Sequence, residues 1–80
     1  MDAIAEVRIG FENRCTVPSN VVDKLGIKKG ERIKITIDEK EKVEVKVGSN
    51  YRFTIPIDVA KKLGLKKGDV IRMKFEKEVV

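Results

Sequence analysis

Polar and apolar residues alternate over Glu6-Val7-Arg8-Ile9, and the same alternation returns over Glu44-Val45-Lys46-Val47. A period of two sends successive side chains to opposite faces, so both runs are expected to be half-buried strands. Arg14-Cys15-Thr16-Val17 and Arg52-Phe53-Thr54-Ile55 read as second strands. Third strands follow where Ile33, Ile35 and Ile37, or Ile71, Met73 and Phe75, take the inward positions. Between the second and third strands the period changes. Val21 and Leu25, like Val59 and Leu63, are four apart and share one face of a short helix. Pro18 and Pro56 lack the N–H a ladder needs but suit a first helical turn, so each closes a strand and opens a helix. Asn20 and Asp58 fall near the helix starts, where a side-chain oxygen or a negative charge meets free N–H groups. Gly26 and Gly64 are placed to end the helices, and Gly30 and Gly68 to take positive φ in the turns that follow. Residues 10–13 and 48–51 are short polar connections whose length suits a tight hairpin, with Gly10 and Gly48 free to adopt a bulge or a positive φ.

The two halves of this pattern are one pattern written twice. Shifting the chain by about 38 residues lays 6–38 on 44–76 without a gap, with about 14 identities in about 33 positions. KLGIKKGE, starting at Lys24, and KLGLKKGD, starting at Lys62, are nearly the same eight residues. Each is a helix stop, a turn and the re-entry into a third strand. The element order is therefore β-β-α-β twice, joined by residues 39–43. Six strands with one apolar face each, and no helix long enough to cover an open sheet, predict a mostly β fold. Closure into a six-stranded, pseudo-twofold β-barrel would bury every inward face. At 80 residues a fold buries only roughly 60–65% of its unfolded surface, so the two units are expected to share one core in a single domain spanning 1–80.

Composition narrows the class. No leading apolar stretch reads as a signal peptide or membrane span, which predicts a soluble, cytoplasmic protein with no membrane partner. The chain has one cysteine, Cys15, and so forms no internal disulfide; its repeat counterpart is Phe53, which argues for a small buried hydrophobe. Abundant Lys, Glu, Ile and Val without His, Gln or Trp resembles the residue usage of a hyperthermophile. With no histidine, a general base near neutral pH would need a shifted carboxylate or lysine. There is no Cys/His cluster for zinc, and KLGIKKGE has too few glycines, wrongly placed, for a phosphate loop. Asp58 and Asp69 have simpler roles as helix-start acid and turn residue. The sequence predicts no enzyme, no cofactor, no metal and no small-molecule substrate.

The run Asn13-Arg14-Cys15-Thr16-Val17-Pro18, a short helix ending Leu25-Gly26-Ile27 and a turn ending Gly30-Glu31 resembles the AbrB/SpoVT domain. The second unit, Tyr51-Arg52-Phe53-Thr54-Ile55-Pro56 through Gly68-Asp69, resembles it more closely. The resemblance implies a barrel of the cradle-loop group, RIFT-like or swapped-hairpin, and a DNA-binding transcription regulator of bacteria or archaea. Two fused three-strand units look more like the six-strand relatives, and the short first hairpin favours RIFT-like over double-psi connectivity. The basic pair that the family's prototype carries on its helix falls here on Val22-Asp23 and Ala60-Lys61, where only Lys61 is basic.

Charge points the same way. The chain carries 18 Lys and Arg against 13 Asp and Glu, a net charge of +5, which suits an anionic partner such as double-stranded DNA. Arg14 and Arg52 each open a strand beside a hairpin, and twofold-related arginines are a natural way to meet two turns of DNA backbone. The competing reading of each is a cross-strand ion pair with Glu12 or another acid. Arg8 and Lys46 on the first strands join them as candidates, with Lys24, Lys61 and Lys62 supporting. Lys28-Lys29 and Lys66-Lys67 read as soluble turns. Phe11 and Tyr51 near the hairpins are too few for a continuous stacking platform. The alternative is a non-catalytic protein-interaction or adaptor barrel, monomeric or a homodimer of barrels. No long tail follows the last strand to hold a toxin, which sets an antitoxin role aside.

Overall fold

Alternation carries the first strand further back than its clearest stretch. The computed structural model describes residues 2–77, with β1 (Asp2–Arg8), β2 (Arg14–Thr16), α1 (Ser19–Leu25), β3 (Arg32–Ile37), β4 (Glu41–Lys46), β5 (Arg52–Thr54), α2 (Ile57–Leu63) and β6 (Val70–Glu76) in chain order. Residues 41–43, expected as linker, belong to β4. The β3–β4 hairpin closes through Asp38 and Glu39, both at positive φ (52° and 59°), with Lys40 N–H donating to Ile37 O at 3.0 Å.

Strand pairing departs from the expected barrel. Four strands form an antiparallel sheet in the order β1-β6-β3-β4, and β2 pairs with β5 in a separate two-stranded ribbon. The ladders do not close into a six-stranded ring. The reason lies at residues 10–13 and 48–51, which are corners and not hairpins. Gly10 N–H donates to Arg14 O (2.8 Å) and Gly48 N–H to Arg52 O (2.7 Å), and then the chain leaves its first sheet. Seven-residue β1 pairs along its whole length with β6, while three-residue β2 meets its counterpart β5. The RIFT-like expectation rested on that first hairpin and falls with it. The pairing pattern is nevertheless unchanged when β1, β2 and β3 are exchanged with β4, β5 and β6.

The lysine-rich turns join one half of the chain to the other. Gly68 N–H donates to Ile9 O (2.7 Å) and Ile9 N–H to Asp69 O (2.8 Å); Gly30 N–H donates to Val47 O (2.6 Å) and Val47 N–H to Glu31 O (2.8 Å). Each turn thus docks on the end of the other unit's first strand. The closing acid has a local task, since Glu31 Oε1 accepts from Lys28 N–H (3.1 Å) and Asp69 Oδ2 from Lys66 N–H (2.8 Å). Gly30 and Gly68 take φ of 88° and 93°, and Gly26 and Gly64 end the helices at 63° and 66°, as their positions required. Helix starts follow expectation, with Asp58 in the first turn of α2 and Asn20 in that of α1. Pro18 and Pro56 are the N-caps and offer no side-chain cap of their own.

Side chains from both units form one apolar cluster between the sheet, the ribbon and the helices. Val21 and Leu25 of α1 are buried as their spacing predicts. The second helix turns differently, burying small Ala60 and leaving Val59 and Leu63 half-buried. Cys15 is 3% exposed and stands opposite Phe53 in the ribbon, a small residue matched to a large one. Burial pushes its thiol pKa from 9.0 up to about 11. The fold favours the neutral thiol, so this contribution is complete below pH 9.0 and is lost as pH rises toward 11. At pH 8 a thiol reagent should therefore label the native protein far more slowly than the unfolded chain.

Gly10 and Gly48 do not take the positive φ proposed for them. Both are extended (φ −97° and −90°), and the left-handed residues are Glu12, Asn13, Asn50 and Tyr51. A Cβ on Gly10 would lie 3.0 Å from Arg14 O, but on Gly48 it would lie an ordinary 3.6 Å from Arg52 O. Gly10→Ala is expected to destabilise by about 1 kcal/mol through overpacking. Gly48→Ala should be neutral or stabilising by up to about 1 kcal/mol, because alanine restricts the unfolded chain. Urea midpoints of the two variants test the difference in sign. No helix among the described residues is long and apolar enough to cross a membrane.

Candidate nucleic-acid interface

The ribbon carries its chemistry by simple alternation. In β2 and β5, Cys15 and Phe53 point into the core, which leaves Arg14, Thr16, Arg52 and Thr54 on the outer face. Arg14 stands opposite Thr54 and Arg52 opposite Thr16, so the arginines are diagonal neighbours with a threonine hydroxyl beside each. No acid lies on this face of the strands. The nearest is Glu12, whose Oε1 is 3.7 Å from Arg14 Nη2 with side chains 58% (Arg14) and 76% (Glu12) exposed. An ion pair so open to water contributes little to stability.

Two grooves flank the ribbon. Glu6, Arg8, Arg14 and Thr16 line the one beside β1; Glu44, Lys46, Arg52 and Thr54 line the one beside β4. Each residue lining the first groove has its counterpart at the repeat spacing in the second, which Arg14, Ser49 and Asn50 line in addition. Of the residues singled out in the sequence, Arg8 and Arg14 share one groove, and Arg14, Lys46 and Arg52 share the other. Lys24 and Lys61 are exposed on α1 and α2 and line neither groove. Lys62 is occupied elsewhere. Its ammonium is hydrogen-bonded to Glu41, which raises its pKa first through that bond and second through charge. Glu41 opens β4 and Lys46 closes it, some five residues or roughly 16 Å apart.

The outer face of the four-stranded sheet has a different balance. Arg32 pairs with Glu44 (3.6 Å), Lys42 with Glu76 (3.5 Å) and Lys74 with Asp2 (3.4 Å), so its charges are largely answered within the molecule. Lys77 is likewise engaged, donating to Gly26 O (2.6 Å) at the end of α1 and pairing with Glu31. On the ribbon face, Arg14 has the exposed pair with Glu12. Sequence reasoning passed over Thr16 and Thr54, although both recur at the repeat spacing and share the arginines' parity. It also missed that the turn lysines cover the aromatics of the opposite unit. Lys67 Nζ lies 3.3 Å from the Phe11 ring centre and Lys29 Nζ 5.9 Å from that of Tyr51. Only the docked turns create those contacts.

Comparison with known proteins agrees with this architecture. Residues 44–80 match the family model described as antidote-toxin recognition MazE, bacterial antitoxin. That match concerns the second unit and not a tail, and it bears on the antitoxin role that chain length had set aside. A solution structure of PHS018 from Pyrococcus horikoshii superposes with a TM-score of 0.76 at 23% identity, covering 92% of this chain and 88% of that one. At that identity the likeness shows the fold alone. Among curated proteins nothing matches. The chain as a whole has a small, β-rich fold, and its second half is similar to the MazE antitoxin family.

Proposed function

We propose that this protein is a non-enzymatic, DNA-binding transcription regulator of AbrB type, in which residues 6–38 and 44–76 act as the two halves of one duplicated domain. The observation that carries the reading is the outer face of the β2–β5 ribbon. Its strands offer Arg14 and Arg52, two threonine hydroxyls and no acid, and the flanking grooves add Arg8 and Lys46 together with Glu6 and Glu44. A two-stranded ribbon is narrow enough for the major groove of B-DNA, and arginine, lysine and threonine are the groups that hold phosphates and fix register. The match of residues 44–80 to an antitoxin family supports a regulatory role. The test is fluorescence anisotropy of a labelled duplex across a salt series. Four phosphate contacts predict a log–log slope of roughly −3.6, at about −0.9 per contact. Absence of binding at low salt would overturn the proposal.

A second reading, recognition of a protein partner, has its own observations. Phe11 and Ile57 are 70% and 66% exposed, and the matched family is described by toxin recognition. An apolar interface would show weak salt dependence, which separates the two readings.

A further inference from the structure

We propose that the two halves of the ribbon face are electrically unequal, and that the groove beside β4 is the principal phosphate-binding site of the molecule. A duplicated chain would then grip a duplex in a preferred orientation, despite its symmetric strand pairing. This last consequence rests on the regulator reading above; the inequality of the grooves does not.

The inequality comes from a few positions. Glu12 sits two residues before Arg14 and pairs with it at 3.7 Å; the residue two before Arg52 is Asn50, which is neutral. Corner backbones match at these two positions, since both residues are left-handed, with φ of 53° and 58°. The side chains therefore leave from equivalent places, and only the charge differs. Three cations, Arg14, Lys46 and Arg52, line the groove beside β4, with the exposed polar side chains of Ser49 and Asn50 at its rim. Its acid, Glu44, pairs with Arg32 at 3.6 Å. The groove beside β1 holds two cations, Arg8 and Arg14, with the acid Glu6 in its lining, and Arg14, which the grooves share, pairs with Glu12. Glu12 thus stands beside the arginine of one corner, and the equivalent place beside Arg52 holds the neutral Asn50.

The experiment is an NMR titration of the full chain with inorganic pyrophosphate, followed by duplex binding of three variants. Amides of Gly48, Ser49, Asn50 and Arg52 are expected to shift at several-fold lower pyrophosphate than those of Gly10, Phe11, Glu12 and Arg14. In duplex binding Arg52→Ala should weaken affinity several times more than Arg14→Ala. Glu12→Gln should strengthen it by roughly 3–5-fold, as removal of one opposing charge implies. Equal shifts in the two corners, or indifference to Glu12→Gln in both assays, would overturn the proposal while leaving DNA binding intact. Selective shifts without duplex binding would do the reverse, supporting the unequal grooves and sinking the regulator reading.

Discussion

Phe75→Ala is expected to lose about 3–5 kcal/mol of stability, the usual range for emptying a fully buried aromatic site. Phe75 is 0% exposed and lies on β6, between Ala3 of β1 and Ile35 of β3 in the register. Its ring meets Phe53 edge-to-face, with centroids 6.1 Å apart and planes at 80°. That contact adds about 0.5–1.5 kcal/mol beyond the buried area. It also has a structural consequence, because Phe53 belongs to the ribbon and Phe75 to the sheet, and no ladder joins the two. Side-chain packing alone must hold the sheets together there. Domains are stable by only about 5–15 kcal/mol, so the variant should be substantially unfolded in moderate urea. Val70→Ala on the same strand, at an exposed position, should change stability by under about 0.5 kcal/mol. Equilibrium urea denaturation of both decides the matter. A Phe75→Ala loss near that of Val70→Ala would mean the core is not organised around the aromatic pair.

The Arg14→Ala/Arg52→Ala double variant should retain the fold and lose most duplex affinity. Both side chains are exposed, so the core is untouched and thermal stability should fall by less than about 1 kcal/mol. Removing two phosphate contacts should flatten the log–log salt slope by about 1.8 and weaken binding roughly 30-fold near 0.15 M salt. Because the effect is electrostatic, the loss should grow to over about 100-fold at 0.05 M salt. Lys24→Ala/Lys61→Ala removes the same net charge from the helices, away from both grooves. Its expected loss is about twofold. Anisotropy titrations of the two double variants against one duplex make the comparison, and equal losses would show that net charge acts without a localised site.

Local patterns survived well because each depends on near neighbours. Alternation at Arg14-Cys15-Thr16 assigns faces through the geometry of a single strand, and the left-handed glycines follow from helix-end geometry a few residues long. Hairpins failed for a related reason. A short polar connection constrains the chain's direction over four residues, but which strand β1 pairs with is a choice made against every other strand. Seven register positions with β6 outweigh what a three-residue β2 can offer. Charge was legible as a sum and not as a distribution. Lys62 looked equivalent to Lys61 until Glu41, 21 positions away, was placed beside it. Glu12 was foreseen as a partner for Arg14 because it is two residues distant.

By itself, then, the sequence determined the six strands and two helices, the inward and outward faces, the turn glycines and the spacing that repeats them, because periodicity and backbone sterics act locally. Tertiary structure decided that the strands divide into a four-stranded sheet and a ribbon, that each lysine turn docks on the opposite half, and that Arg14 shares one groove with Arg8 and another with Lys46 and Arg52 while Lys62 joins neither. Those outcomes turn on hydrogen bonds, packing and ion pairs between residues far apart in the chain, and such competition has no signature in any short window of it.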